Sequence, residues 1–309
     1  MENSQSELDL SISIVNYNTA AETNKLINSI YNSTKSINYE ILLVDNASKE
    51  PIDDIVNKYP DVKVIQNSKN LFFTKADNQN LTRAKGKYIV SINSDAFVLQ
   101  DALNVMINCL DTHPFVGAVT PKIIYPDGVL QRSLGEFVTL GFGFCFASGL
   151  PRFYPNIKAF TDVMPNKITY DPDSMQEAKL LYGACIMVRR EVLETVGLKD
   201  ENLIHGWDEY DWCKRMTQHG WKLLYAPGAV ITHSRGASRD KLETCSESAK
   251  LLDYYSWQGF FYLYKKYYGI HVYLMLKIVW HLNNMLLTCI NSVRSVSRQL
   301  TSVLKNDNQ

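Results

Sequence analysis

The sequence predicts an α/β protein with a mostly parallel central sheet and helices on both faces. Three observations predict it. Short β-branched runs alternate with stretches of helical apolar spacing, the pattern of βαβ units. Three of those runs end on polar clusters, Asn16-Tyr17-Asn18, Asp45-Asn46 and Asn93-Ser94-Asp95. These clusters fall where open α/β sheets hold ligands, at the carboxyl ends of strands. At 309 residues the chain is long enough for one large α/β domain, or one domain with an appendage.

The elements follow in order. Leu10-Ser11-Ile12-Ser13-Ile14-Val15 alternates and then turns apolar, as a first strand does. Thr19-x-x-Glu22 has the form of a capping box, and Leu26, Ile27 and Ile30 supply a helical apolar face. Glu40 to Val44 is a second strand. A short helix through Ile52, Ile55 and Val56 stops before Pro60, and Val62 to Ile65 is a third strand. A helix is expected from Lys75 to Ala84. Lys87 to Ile92 is a buried strand bounded by Gly86 and leading to Asn93-Ser94-Asp95. A helix over Leu103–Leu110, a strand at Val116–Val119 and a turn at Tyr125-Pro126-Asp127-Gly128 come next. The stretch from Gly135 to Pro172 is rich in Gly, Pro and aromatics, lacks a clear period, and reads as loops or a lid. Leu180 to Val188 is a strand interrupted by Gly183, where backbone or ligand approaches closely. A short helix follows from Arg189. Asp208, Glu209 and Asp211 cluster at the start of a helix running to about His219, favoured there by the helix dipole. Asp211 and Arg215 are spaced as an i,i+4 pair. Leu223–Pro227 and Ala229–Ile231 are late strands, and His233 ends the second of them.

Composition excludes some functions. The 32 Lys and Arg balance 32 Asp and Glu, so no global field attracts nucleic acid. The six cysteines are far apart with no Cys-x-x-Cys pair, which argues against a zinc site and for a reducing, cytoplasmic compartment. Met1 to Glu7 is polar and acidic, unlike a secretory signal. No uncharged apolar run of about eighteen residues suggests a membrane span.

Taken together, the three polar strand ends line one sheet edge. They offer an aromatic to stack on a base, a carboxylate to accept its N–H, and a carboxylate, Asp95, suited to Mg²⁺ or Mn²⁺. Each cluster alone also fits turn chemistry.

Several motifs in order resemble glycosyltransferase family 2, in particular its bacterial rhamnosyltransferase-like branch. Val15-Asn16-Tyr17-Asn18 and Val44-Asp45-Asn46-Ala47-Ser48 are similar to the branch's first two strand motifs. Asn70-x-x-Phe73, with Ala76 and Asn78, looks like its Asn-x-Gly-Phe segment. Asn93-Ser94-Asp95 resembles its Asn-Pro-Asp form of the metal-binding DxD. Gly183-Ala184-Cys185 followed by Arg189-Arg190-Glu191 matches its acceptor-side segment. Trp207 to Arg215 is similar to its Glu-Asp-x-Asp-Leu-Cys-x-Arg motif, and His233, with Ser238, matches its late His. The resemblance runs from about Ser11 to about Ser238. Three departures stand out: Phe72 replaces Gly, Ser94 replaces Pro, and Asp208-Glu209 replaces Glu-Asp.

The resemblance implies the nucleotide-diphospho-sugar transferase (GT-A type) fold. It implies an inverting transfer of a sugar, with rhamnose a candidate, from a dTDP- or UDP-sugar to a saccharide hydroxyl in cell-surface polysaccharide synthesis. It also implies roles: Glu209 as base with Asp208 as the alternative; Asp95 and His233 on Mg²⁺ or Mn²⁺; Asn16, Tyr17, Asn18, Asp45, Asn70, Asn78 and Asn93 on the donor; Gly183, Ala184, Asp211 and Arg215 on the acceptor side. The rival readings are a nucleotidyltransferase of similar fold and a decayed nucleotide-sugar-binding module. Residues 1–240 form the expected catalytic domain, with a donor half over about 8–120 and an acceptor half over about 121–240. Residues 241–309 form a C-terminal helical segment. From Tyr254 it is aromatic. Lys277, His281, Asn284, Thr288 and Asn291 then make one polar stripe, with Leu274, Ile278, Leu282, Met285, Leu286 and Ile290 apolar and Arg294, Arg298 and Lys305 basic. That pattern fits a helix lying in a membrane surface, or helices packed on the catalytic domain or on a second subunit.

Overall fold

The computed structural model describes residues 8–34, 36–164, 168–234 and 246–306, without side chains at 246–249, 291 and 293–306. Ser238, Arg294, Arg298 and Lys305 therefore lie outside the described side chains. The strands are β1 Leu10–Asn16, β2 Tyr39–Asp45, β3 Lys63–Gln66, β4 Tyr88–Asn93, β5 Ala96–Val98, β6 Val116–Ile124, β7 Leu134–Gly135, β8 Gln176–Ala178, β9 Leu180–Leu181, β10 Cys185–Arg189 and β11 Lys222–His233. The helices are α1 Ala20–Ser33, α2 Asp53–Lys58, α3 Phe72–Arg83, α4 Ala102–Thr112, α5 Leu140–Ser148, α6 Lys158–Thr161, α7 Arg190–Thr195, α8 Asp208–Gln218, α9 Ser246–Tyr268 and α10 Ile270–Asn306.

Chain packing divides the protein into two compact units, one of residues 1–137 and 168–260, the other of residues 138–167 and 261–309. The boundary expected near residue 240 lies outside the described residues; packing divides the chain at 260 and groups 138–167 with residues 261–309.

In the first unit, nine strands among the described residues form one sheet in the order β3-β2-β1-β4-β10-β6-β11-β5, with β8 added on β11. The run β3-β2-β1-β4 is parallel, as the βαβ alternation requires. The sheet turns mixed where β10 enters antiparallel between β4 and β6. The register pairs Asn16 with Asp45, and Val15 with Asn93, so the three polar strand ends do share one edge. Helix α1 buries Leu26, Ile27 and Ile30 against this sheet, and α4 buries Leu103, Met106 and Leu110. Each such side chain stabilises the fold by about 1.5–3 kcal/mol. Gly86 is fixed by space: a Cβ there would lie 2.5 Å from the Leu10 carbonyl carbon.

Three local expectations change. Thr19 is the N-cap residue of α1 but makes no capping bond; its hydroxyl bonds Asn16 Oδ1 at 3.0 Å and Ser94 Oγ at 2.9 Å instead. The strand expected over Leu180–Val188 splits around Tyr182–Ala184, with β9 pairing β7 and β10 joining the main sheet. The two late strands are one, β11, whose register against β6 shifts between Ala226 and Val230, across Pro227, which has no N–H to give.

The second unit is helical. Thr139 Oγ1 accepts from Phe142 N at 3.1 Å to cap α5, and Gly149 closes it in the left-handed conformation. Phe142 stacks on Phe146 and Phe160 at 5.6 and 5.5 Å. Tyr264 and Tyr268 donate through Oη to the carbonyls of Thr139 and Val138, each at 2.6 Å. Residues 138–164 of the stretch read as loops or a lid are therefore a packed part of the second unit, while Tyr170 and Pro172 contact Tyr225 in the first. Among the described residues no helix is long and apolar enough to cross a membrane.

Candidate active site

The first corner of the site lies at the ends of β1 and β2. Asp45 Oδ1 accepts from Asn16 Nδ2 at 2.7 Å and from Ser48 Oγ at 2.6 Å. Asn16 Oδ1 accepts from Thr19 and Thr23 at 3.0 and 2.9 Å. Asn16 is wholly buried and its amide is committed within the protein, so it orients Asp45 rather than reaching a ligand. Asn18 and Ala47 hold positive φ values of 55° and 62°. Strained backbone of this kind collects at functional sites. Asn18 Oδ1 accepts from Lys49 N at 2.7 Å, which ties the two loops together, while Tyr17 beside it remains half-buried. An open cleft of about 580 Å³ runs past Asp45, Ser48, Gln66 and Asn67.

The second corner is the loop entering α3. Asn46 Nδ2 donates to Asn70 Oδ1 at 2.8 Å, and Asn46 Oδ1 accepts from Leu71 N at 2.9 Å. Asn70 Oδ1 also takes Phe72 N at 2.7 Å. Phe72 adopts φ 61°, the left-handed region where glycine costs nothing and a bulky residue is strained. The backbone shape that glycine suits is thus kept without the glycine, and the Phe72 ring packs edge-on against Tyr255 at 4.9 Å. Asn78 is buried elsewhere. Its Nδ2 donates to Lys199 O at 2.9 Å and its Oδ1 accepts from Lys199 N at 3.2 Å, so it braces a loop instead of a donor.

The third corner is the turn between β4 and β5. Antiparallel pairing of β5 with β11 sets His233 opposite Ala96. His233 Nε2 comes to 3.2 Å from Asp95 Oδ1 and 3.3 Å from Asn93 Nδ2. Its Nδ1 lies 3.0 Å from Gln131 Oε1, an acceptor; in the neutral ring that puts the proton on Nδ1 and lets Nε2 accept from Asn93 Nδ2. Gln131 Nε2 returns a bond to His233 O at 2.5 Å. Ser94, in place of proline, is buried with its hydroxyl on Thr19.

The fourth corner is the start of α8. Trp207, at φ 69°, turns the chain so that Asp208 and Glu209 begin the helix. Lys199 is fully buried, with Nζ 3.0 Å from Asp77 Oδ2 and 3.5 Å from Asp208 Oδ2. Burial opposes its charge, but Asp77 and Asp208 outweigh that and hold the ammonium above lysine's usual value. Asp77 is itself fixed by Ser13 Oγ at 2.5 Å and Ser91 Oγ at 2.9 Å. Glu209 differs from its neighbour. Burial first, then the adjacent Asp208 charge and a hydrogen bond with it, push its carboxyl up to about 8. Gly183 faces that carboxyl, and a Cβ there would lie 3.5 Å from Glu209 Cδ. Ala184 O accepts Asn93 N at 3.0 Å, so the 183–184 segment bridges Glu209 and the Asn93–Asp95 turn.

Asp211 and Arg215 form the expected i,i+4 pair at 2.7 Å. Arg215 also donates to the carbonyls of Val196 and Leu198, both at 2.8 Å, and Asp211 is fully buried. The pair clamps the loop before Lys199, so its expected acceptor-side role gives way to a structural one. The sequence reading missed Lys199, Asp77 and Gln131. Lys199 follows a helix stop and reads as a surface lysine, Asp77 sits mid-helix, and Gln131 follows a turn. Among the described residues no three His, Cys, Asp or Glu side chains converge as a metal cage. Of the predicted metal residues, the fold brings Asp95 Oδ1 and His233 Nε2 together at 3.2 Å.

The mixed sheet, its polar carboxyl edge and the carboxylates around that edge define a GT-A type protein. The chain belongs to glycosyltransferase family 2: the model of that family, "Glycosyl transferase family 2", matches residues 11–197. The chain is 25% identical over 210 residues to an N-acetylglucosaminyl-diphospho-decaprenol L-rhamnosyltransferase of Mycobacterium tuberculosis, covering 64% of this chain and 67% of that one. It is 26% identical over 233 residues to protein y4gI of Sinorhizobium fredii, covering 72% of this chain but only 24% of that one. An O-antigen biosynthesis protein of Myxococcus xanthus is 23% identical over 218 residues, 69% of this chain and 16% of the relative. The fold is similar to GalNAc-T7 solved with UDP, GalNAc and Mn²⁺ (TM-score 0.54, 19% identity, 74% of this chain and 44% of that one). It is also similar to a mannosyltransferase of Pyrobaculum calidifontis solved with GDP-Man and Mn²⁺ (TM-score 0.51, 20% identity, 78% and 61%).

Proposed function

We propose that this glycosyltransferase transfers a sugar, with rhamnose the first candidate, with inversion from a dTDP- or UDP-sugar. The acceptor is a hydroxyl of a saccharide or lipid-linked saccharide in cell-surface polysaccharide synthesis. The observation that carries this reading is the division of the acids around the 183–184 segment: Asp95 beside His233 on one side, Glu209 with a raised pKa on the other. Asp45 accepts the pyrimidine N–H and Tyr17 lies against the base. Asn18, Asn70 and Asn93 shape the donor edge.

Asp95 and His233 suit Mg²⁺ or Mn²⁺, because a carboxylate oxygen and an imidazole nitrogen stand 3.2 Å apart. A cation held there would neutralise charge on the leaving diphosphate. Glu209 Oε takes the proton of the acceptor hydroxyl as that oxygen bonds to the anomeric carbon, and the bond from that carbon to the diphosphate breaks on the opposite face. Asp208 is paired with the buried Lys199 at 3.5 Å, which makes it the second candidate for the base. The raised pKa of Glu209 and its place facing Gly183 support Glu209 as the base over Asp208.

The C-terminal helices are read as a contact with the cytoplasmic face of a membrane or with a second copy of the chain. The test of the catalytic reading is transfer from dTDP- and UDP-sugars to saccharide acceptors, followed by the products. Release of nucleoside diphosphate together with an inverted glycoside supports it. Release of pyrophosphate overturns it in favour of nucleotidyl transfer.

A further inference from the structure

Charge is distributed unevenly between the two compact units. The whole chain is neutral. Residues 138–167 and 261–309 nevertheless carry nine lysines and arginines against two acids, Asp162 and Asp307, a net of +7. The remainder therefore carries −7. Sequence order hides the asymmetry, because the cationic unit is assembled from two separated segments.

The same unit exposes large apolar side chains from both segments. On α10 the row Leu274, Ile278, Leu282 and Met285 steps by four and three along one face and is 49 to 66% exposed. The opposite face is packed inward, with Leu276 fully buried. From the other segment, Phe153 and Tyr154 stand 66% and 65% exposed. Lys277 does not interrupt the apolar row: its Nζ lies over the Tyr273 ring at 4.9 Å and the Phe261 ring at 5.7 Å. Soluble monomers rarely leave this much apolar surface open without a partner for it.

We infer that this two-segment unit seats on an anionic lipid surface, with Phe153 and Tyr154 entering the interface beside the α10 row. This commits the C-terminal contact left open above to one partner, and it rests on that part of the reading alone. Charge decides between the two occupants. A twofold contact between copies sets a positively charged unit against its own copy. An anionic leaflet attracts the same charge while its acyl region takes up the apolar row. No helix among the described residues is apolar enough to span, so the unit lies on the surface.

The experiment is co-sedimentation of the full chain with phosphatidylglycerol vesicles and with phosphatidylcholine vesicles, at low and high salt. The chain is expected to pellet with the anionic vesicles at least tenfold more strongly, and salt is expected to remove most of the difference. Phe153→Ser with Tyr154→Ser, and separately Ile278→Ser with Met285→Ser, are each expected to lower partitioning about tenfold. These positions are exposed, so the variants keep the fold. Lys265→Gln with Lys266→Gln is expected to cost about fivefold per lysine on anionic vesicles only. Three outcomes would overturn the inference: no pelleting with either vesicle; equal, salt-insensitive pelleting with both; or a stable dimer in light scattering that Ile278→Ser with Met285→Ser makes monomeric. Binding of UDP or dTDP, read by thermal shift in the same samples, reports separately on the catalytic reading. Loss of that binding with vesicle binding intact leaves this inference standing.

Discussion

Asp95 and Glu209 are both acids beside the 183–184 segment, and their surroundings drive them apart. Asp95 sits in a tight turn between two strands, with an imidazole at 3.2 Å whose far nitrogen rests on Gln131. Glu209 sits in the first turn of a helix, beside a second carboxylate that already has the buried Lys199. One acid faces an imidazole across a turn between strands. The other is arranged to hold a proton weakly enough to exchange it near neutral pH. Asp208 shows how narrow the difference is: one residue earlier, with an ammonium at 3.5 Å, it belongs to the scaffold. Residue type alone does not separate these three acids; their neighbours do.

The comparison can be broken at several points. The largest effect is expected from Glu209→Gln, which keeps the shape and removes the base. Turnover should fall by about 10²–10⁴ while nucleotide affinity holds. Wild-type turnover should rise with pH through about 8, because the raised pKa means that the active carboxylate accumulates only as the proton leaves. A flat profile between pH 6 and 9 would remove Glu209 from the role. Asp95→Ala should cost about 10²–10³ in turnover and, unlike Glu209→Gln, should abolish the effect of Mn²⁺ on nucleotide binding. Lys199→Met strands Asp77 and Asp208 as buried charges and should lower stability by about 3–5 kcal/mol in urea unfolding. Gln131→Ala frees the His233 ring and leaves two buried groups unpaired, so it should weaken Mn²⁺ affinity about 10–100-fold by calorimetry and lower the stability of the metal-free protein by about 1–3 kcal/mol in urea unfolding. The smallest effect is expected at Phe72. Phe72→Gly relieves a left-handed backbone but loses the Tyr255 contact, so stability should move by no more than about 1 kcal/mol.

What could be read from sequence followed from local pattern. The cores of β1, β2 and β4 are β-branched and end on Asn or Asp, so both the strands and their shared edge were legible. The antiparallel entry of β10 was not, since a short apolar run carries no direction. Helix α5 was hidden because Phe142, Phe144 and Phe146 recur at every second residue, which masks the helical period. Thr19 follows the capping pattern, yet its hydroxyl is taken by Asn16 and Ser94. Lys199 and Gln131 act through partners more than a hundred residues away in the case of Gln131 and His233, and across helix–loop contacts for Lys199, Asp77 and Asp208. Local sequence holds no trace of such pairs.

The most direct test of the division between the acids is titration of UDP and dTDP, with and without Mn²⁺, into wild type, Asp95→Ala, Asp208→Asn and Glu209→Gln, alongside transfer rates for each. The expected result is that Glu209→Gln binds nucleotide as wild type does, with the full Mn²⁺ enhancement, and does not turn over, while Asp95→Ala loses the enhancement. A Glu209→Gln variant with near wild-type turnover beside an inactive Asp208→Asn that still binds nucleotide would contradict the account and move the base to Asp208.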